Sequence, residues 1–267
     1  MTLLLIALHA GVWDQVQELR QDGQDVTAIP SDRADARVLV AQLSAAAPSG
    51  VLPNGWQDRA RAAGFEVAET DEWVRLSCPS GVVFLRVGPS VPLILQAPHA
   101  WFDRGTGALT AELFEEGTAA ALMVNTGHRY GGDTDAEHVD VAHADETLFQ
   151  AATLGVVEGR VDPLVVQLHG FSPKTSSAAA VVSQGAAFQS PSVLDRAQAD
   201  LIGLFGDQVV TDAEVPALAG RRNLQGRVVG GTARFLHIEL SQDVRAKLAE
   251  DDALRAALGA RMQEWAQ

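Results

Sequence analysis

Two stretches of this chain are apolar at nearly every position, and both end on an imidazole. Pro92-Leu93-Ile94-Leu95-Gln96-Ala97-Pro98 runs into His99, and Pro163-Leu164-Val165-Val166-Gln167-Leu168 runs into His169. Short continuous apolar runs of this kind read as strands buried on both faces. A third run, Arg234-Phe235-Leu236-His237-Ile238-Glu239-Leu240, sets a carboxylate among apolar residues. Further strand-like segments cover 121–125, 178–183 and 208–211. Helical periodicity falls between them. Leu148, Ala152 and Val156 share one face of a helix over 145–157 with Asp145 as its N-cap, and 193–205 repeats the pattern. Ser241 is placed to cap a long C-terminal helix carrying Val244, Leu248, Leu258, Met262 and Trp265.

The first third of the chain reads differently. Residues 1–62 look helical, with Val12, Val16 and Leu19 on one face and a second helix over 34–47. Three short strands at 65–68, 73–78 and 82–87, separated by turn residues, then predict an antiparallel meander. Strand–helix alternation from Pro92 onward predicts an α/β fold. The expected sheet is mixed and mostly parallel, with helices on both faces and the meander as a small antiparallel edge. The expected division is an N-terminal helical extension plus meander over 1–90 and a catalytic α/β domain over 91–267, in one compact unit.

Composition narrows the function classes. With 47% hydrophobic residues the chain can bury a substantial core. Twenty basic residues against 34 acidic give a net charge of −14, which argues against non-specific nucleic-acid binding. With a single cysteine, Cys78, neither an intrachain disulfide nor a cysteine-ligated zinc is available. The apolar start, 1–10, lacks a basic flank and is too short to span a bilayer, so no membrane role is expected. Cytoplasmic placement is expected, with a trimmed secretion signal as the alternative.

The strand ends carry the candidate chemistry. His99 and Asp103 lie four residues apart, close enough to share a cation, and His169 ends its own strand with Gly170 read as permitting a sharp turn. Zinc in catalytic sites takes three protein ligands plus water, and His99, Asp103 and His169 make that count. Glu112 is the rival carboxylate. Strand alternation puts Glu239 on the same face as His237, where a desolvated carboxylate suits a general base. In Asn125-Thr126-Gly127-His128-Arg129-Tyr130, Arg129 is a candidate clamp for a substrate carboxylate, Asn125 its orienter and Tyr130 an oxyanion donor. Plainer readings stand beside each: a capped turn at 99–103, a surface turn at 125–132 and a solvated edge strand for Glu239. His143 with Glu146, Arg221-Arg222-Asn223, Lys174 and His138 are weaker candidates. No phosphate-binding loop, nucleophile elbow or His-Glu-x-x-His helix occurs.

The order of these pieces resembles the zinc carboxypeptidase-like amidohydrolases, a group spanning metallocarboxypeptidases, N-formylglutamate amidohydrolases, zinc N-acetylmuramoyl-L-alanine amidases and phage poly-γ-glutamate hydrolases. His99, Asp103, His169 and Glu239 fall in that group's order of ligand His, acidic ligand, second ligand His and catalytic Glu. Asp103-Arg104-Gly105-Thr106 is similar to the acidic-x-Gly-Thr piece of the poly-γ-glutamate hydrolases. Asn125 and Arg129 resemble the carboxypeptidase Asn-Arg pair, spread apart here. The resemblance covers about residues 92–245. His-x-x-x-Asp replaces the carboxypeptidase His-x-x-Glu, which leaves the acidic ligand open between Asp103 and Glu112. It implies a phosphorylase/hydrolase-like fold and one zinc ion. It also implies hydrolysis of an amide or peptide bond in a small molecule or peptide with a free carboxylate, by metal-activated water and a Glu base. Other metallohydrolase chemistry on an ester or phosphoester, with His128, His138, His143 and Asp140 around a second metal, and a non-catalytic ligand-binding domain are the alternatives.

Overall fold

The buried runs pair with one another. In the computed structural model, which describes residues 11–20, 30–130, 140–187 and 190–267, they form a nine-stranded sheet. Its strands are β1 (Glu66–Glu69), β2 (Trp73–Cys78), β3 (Gly81–Arg86), β4 (Val91–Ala97), β5 (Ala119–Val124), β6 (Leu164–Phe171), β7 (Ala180–Ser183), β8 (Val209–Thr211) and β9 (Arg234–Ser241). Their spatial order is β1-β2-β3-β5-β4-β6-β9-β7-β8. The centre, β5-β4-β6-β9, is parallel. The meander joins it as the antiparallel edge through β3 and β5. The far flank is reversed too: β7 runs antiparallel to β9 and carries β8 beside it.

Helices cover both faces. Described in chain order they are α1 (Val12–Glu18), α2 (Pro30–Ala46), α3 (Trp56–Ala62), α4 (Thr106–Glu116), α5 (Leu148–Glu158), α6 (Pro191–Phe205), α7 (Leu224–Val229), α8 (Gln242–Glu250) and α9 (Asp252–Trp265). Strand alternation splits the apolar residues into two cores. Leu93, Leu95, Val166, Ile238 and Leu240 pack under α1, α4, α6, α8 and α9. Ile94, Val165, Phe235, Ala121 and Met123 pack under α2, α3 and α5. None of the helices among the described residues is long and apolar enough to cross a membrane.

Two expected helix ends move. Thr147, not Asp145, caps α5, its side chain accepting from the Gln150 N–H at 3.0 Å. Ser241 does cap α8, but the single long helix is broken at Asp251. That residue is extended, and its carboxylate accepts from Leu254 N–H at 2.9 Å, capping α9. A short acidic side chain satisfies the orphan donors of a new helix start better than it continues an old helix.

Close packing of α2 on α5 depends on glycine. A methyl group on Gly155 would sit 2.6 Å from the Arg37 carbonyl oxygen and 2.8 Å from Val40 Cβ. In an exposed helix Gly→Ala stabilises by about 1 kcal/mol. Here the sign reverses, and Gly155→Ala is expected to destabilise by about 1–3 kcal/mol through overpacking. Urea unfolding measures this, and a variant as stable as wild type would disprove the close approach.

Candidate metal centre

The second core turns polar as it approaches the carboxyl edge of the sheet. On β6 the face that begins with Val165 continues through Gln167 to His169. On β9 the face that begins with Phe235 continues through His237 to Glu239. The two strands are in register, so His169 and Glu239 are direct neighbours, as are Gln167 and His237. β4 lies on the other side of β6 and runs the same way. The backbone beyond it coils into a tight turn, with the Asp103 N–H bonded to the His99 carbonyl at 2.8 Å. That turn stacks the side chains of positions 99 and 103 together.

The structure therefore brings His99, Asp103 and His169 to one place. All three are buried, and their ligand atoms lie within 4.8 Å of one another. The His99 and His169 rings meet edge to face with centroids 4.8 Å apart. Asp103 Oδ2 lies 3.6 Å from His99 Nδ1 and 3.2 Å from His169 Nδ1. Donors held ~2.0–2.1 Å from a tetrahedral zinc lie ~3.4 Å from each other. Glu112 lies elsewhere: it sits on α4, more than a third exposed, 3.4 Å from Arg255. Among the described residues no other group of three such side chains converges.

Each imidazole is fixed from behind. His99 Nε2 donates to Asp140 Oδ1 at 2.8 Å, and His169 Nε2 donates to Gln167 Oε1 at 2.8 Å. Both bonds turn Nδ1 toward Asp103, the side from which a cation would be held. Gln167 is itself held, accepting from Asn223 and donating to Gln96 at 3.0 Å. Burial and the neighbouring His237 push His169 down to about 4, so its ring is neutral at physiological pH, the state a metal requires. Burial opposes ionisation of Asp103, but bonds from His169 and His99 outweigh it and hold the carboxyl well below the usual range. Asp140 is depressed in the same way by His143, His99 and Arg129. For His99, burial works against the imidazolium, yet Asp103 and Asp140 raise its pKa overall.

His99, Asp103 and His169 line a cavity of about 630 Å³ whose other walls include Phe102, Arg129, His143, Gly220, Arg221, Arg222 and His237. Glu239 also lines it. His237 Nε2 lies 3.3 Å from Glu239 Oε1, while Glu239 Oε2 is buried without a hydrogen-bond partner. Arg129 bonds Asp140 Oδ2 at 2.7 Å, and its Nη1 approaches His99 Nδ1 at 3.2 Å. Asn125 is fully buried outside the cavity wall, its Oδ1 accepting from Gly127 N–H at 2.9 Å. Tyr130 is 49% exposed and packs against Phe102 and His128. His138 lies outside the described residues. Asp140, Gln167 and His237 matter more than sequence reasoning assigned. The signals were present for two of them: Gln167 and His237 share strand faces with His169 and Glu239. For Asp140 the sequence suggested only a place in a second metal cluster with His143, since His99 and Arg129, which it also bonds, come from other segments.

The donor set fits a zinc ion. Two imidazoles with backed Nε2 atoms and a carboxylate kept ionised supply three ligands, and Glu239, whose Oε2 is unpartnered, lines the same cavity. Such backing bonds carry affinity. Asp140→Asn is expected to weaken zinc binding about 10–100-fold, read by competition with a chromophoric chelator. Unchanged affinity would show that Asp140 does not set the His99 ring.

No protein family matches the chain, and no curated protein does. Among solved structures it is similar to N-formylglutamate amidohydrolase from Ralstonia eutropha JMP134, at 15% identity and a TM-score of 0.48, over 70% of this chain and 97% of that one. It is similar to a bacteriophage poly-gamma-glutamate hydrolase at 17% identity and 0.43, over 70% and 87%. A third is the succinylglutamate desuccinylase of Vibrio parahaemolyticus, at 11% and 0.47, over 77% and 80%.

Proposed function

We propose that this protein is a zinc-dependent hydrolase of an amide or peptide bond next to a free carboxylate. The observation that carries the reading is the convergence of His99, Asp103 and His169 on a cavity wall shared with a buried, half-satisfied Glu239. Zinc bound there supplies a Lewis acid for the carbonyl and lowers the pKa of a water to about 7.

The chain's own groups perform the rest. Glu239 Oε1 is steadied by His237, and Oε2 is free to accept a proton from the attacking water. As the C–N bond breaks, Glu239 returns that proton to the departing nitrogen, so the base is regenerated. Arg129 stands at the cavity wall with Nε unpartnered, and it takes the substrate carboxylate through charge-assisted bonds. A cation held by His99 would leave Arg129 Nη1 free for that task. Asn125, four residues upstream of Arg129, acts through the turn it braces at Gly127, and Tyr130 reaches the substrate from the rim.

N-acylated amino acids and short peptides with a free carboxylate are the expected substrates, and their carboxamide counterparts are expected to be poor ones. Purified protein is expected to carry one equivalent of zinc. Two equivalents would favour a two-metal esterase or phosphoesterase. No metal and no turnover on any acyl amino acid would overturn the proposal.

A further inference from the structure

Gly170 follows His169 but does not turn the chain; β6 continues through it to Phe171. Its missing side chain leaves room for something else. A methyl group there would fall within 3.0 Å of Nη1, Cζ and Nε of Arg245. Arg245 rises from the first turn of α8, and its guanidinium, half-buried, lies across the carboxyl edge of the sheet. Nε donates to the Arg104 carbonyl at 2.9 Å. Nη1 donates to the Leu240 carbonyl and, at 3.4 Å, to that of Phe171.

Those three carbonyls have one thing in common. Arg104 follows Asp103, Phe171 lies two residues beyond His169, and Leu240 follows Glu239. Sheet hydrogen bonds already lock β6 to β9, but β4 does not pair with β9, and the loop carrying Asp103 has left the sheet altogether. We infer that Arg245 is a positioning residue for the metal centre, tying the Asp103 loop to the ends of the strands that carry His169 and Glu239, and that residue 170 is glycine to admit it. This rests on the metal-centre reading above. A guanidinium suits the task because its planar fork presents several donors in fixed directions. A lysine in its place has one ammonium on a flexible stem and reaches fewer of the carbonyls.

The test is zinc affinity, measured by chelator competition on folded protein, beside thermal unfolding of the same samples. Arg245→Ala is expected to weaken zinc binding about tenfold, the lower end of what a supporting group around a ligand contributes. Arg245→Lys is expected to recover part of that loss. Gly170→Ala is expected to reproduce it by displacing the guanidinium, and Gly170→Ala/Arg245→Ala to be no weaker than either single change, because both remove one interaction. Thr147→Ala, which removes the cap of α5, a helix that supplies none of these carbonyls and, among the described residues, makes no hydrogen bond to Arg245, is the stability control and is expected to keep wild-type affinity. If Arg245→Ala does not fold, the lysine and Gly170→Ala variants decide. Wild-type affinity in the Arg245 or Gly170 variants, additive losses in the double variant, or an equal loss in Thr147→Ala would overturn the inference while leaving the zinc site standing. Wild-type protein that takes up no zinc would overturn the metal-centre reading and this inference with it.

Discussion

Glu239→Gln is expected to keep its zinc and lose turnover by about 10²–10⁴-fold, the range a positioned general base supplies. The amide has nearly the carboxylate's shape, and its oxygen can still accept from His237 where Oε1 does now. Its position beside His169 in the strand register is unchanged, so the metal ligands have no reason to move. What is lost is the capacity of Oε2 to take a proton and return it. The expected pattern is therefore a fall in kcat, little change in KM and an unchanged zinc content. Wild-type turnover in this variant would remove Glu239 from the chemistry. Loss of zinc together with activity would instead make Glu239 a ligand or a structural support.

Removing an imidazole is expected to act one step earlier. His99→Ala and His169→Ala each delete one of three donors, and each is expected to lose zinc affinity by more than the roughly 10–100-fold assigned to a backing residue such as Asp140. Activity falls with metal occupancy. The two variants should differ in what they leave behind. His99→Ala strands Asp140, although Arg129 and His143 still bond it at 2.7 and 3.0 Å. His169→Ala removes the donor to Gln167 Oε1, which keeps its bond from Asn223. Both variants are thus expected to stay folded, since the two cores lie further along the strands. Chelation of the wild-type protein should reproduce their inactivity, and zinc should reverse it. A His99→Ala protein with wild-type zinc content would show that the convergence of the two rings is not a metal site.

Much of this was legible before any coordinates. The apolar runs marked β4, β6 and β9 because a strand buried on both faces has no polar face to interrupt it. Alternation placed His237 and Glu239 on one side, and a spacing of four placed His99 beside Asp103. Local errors were of one kind. The cap at Asp145, the unbroken C-terminal helix and the turn at Gly170 each assigned a local role to a residue whose surroundings decided otherwise. Thr147 and Asp251 competed for helix ends, and Gly170 made space for a side chain from a distant helix.

Residue identity along the chain thus determined which side chains stand at which strand ends, and on which face. It left the choice between Asp103 and Glu112 open and offered Asp140 only as part of an alternative second metal cluster. Only the tertiary structure decided that β4, β6 and β9 are consecutive in the sheet, that His169 stands level with Glu239, and that Asp140 and Arg129 close in behind His99. The reason is physical. Periodicity reports the environment of a residue along its own element, whereas a three-ligand site depends on which elements are neighbours. Long-range pairing sets that adjacency, and residue spacing within one segment carries no record of it.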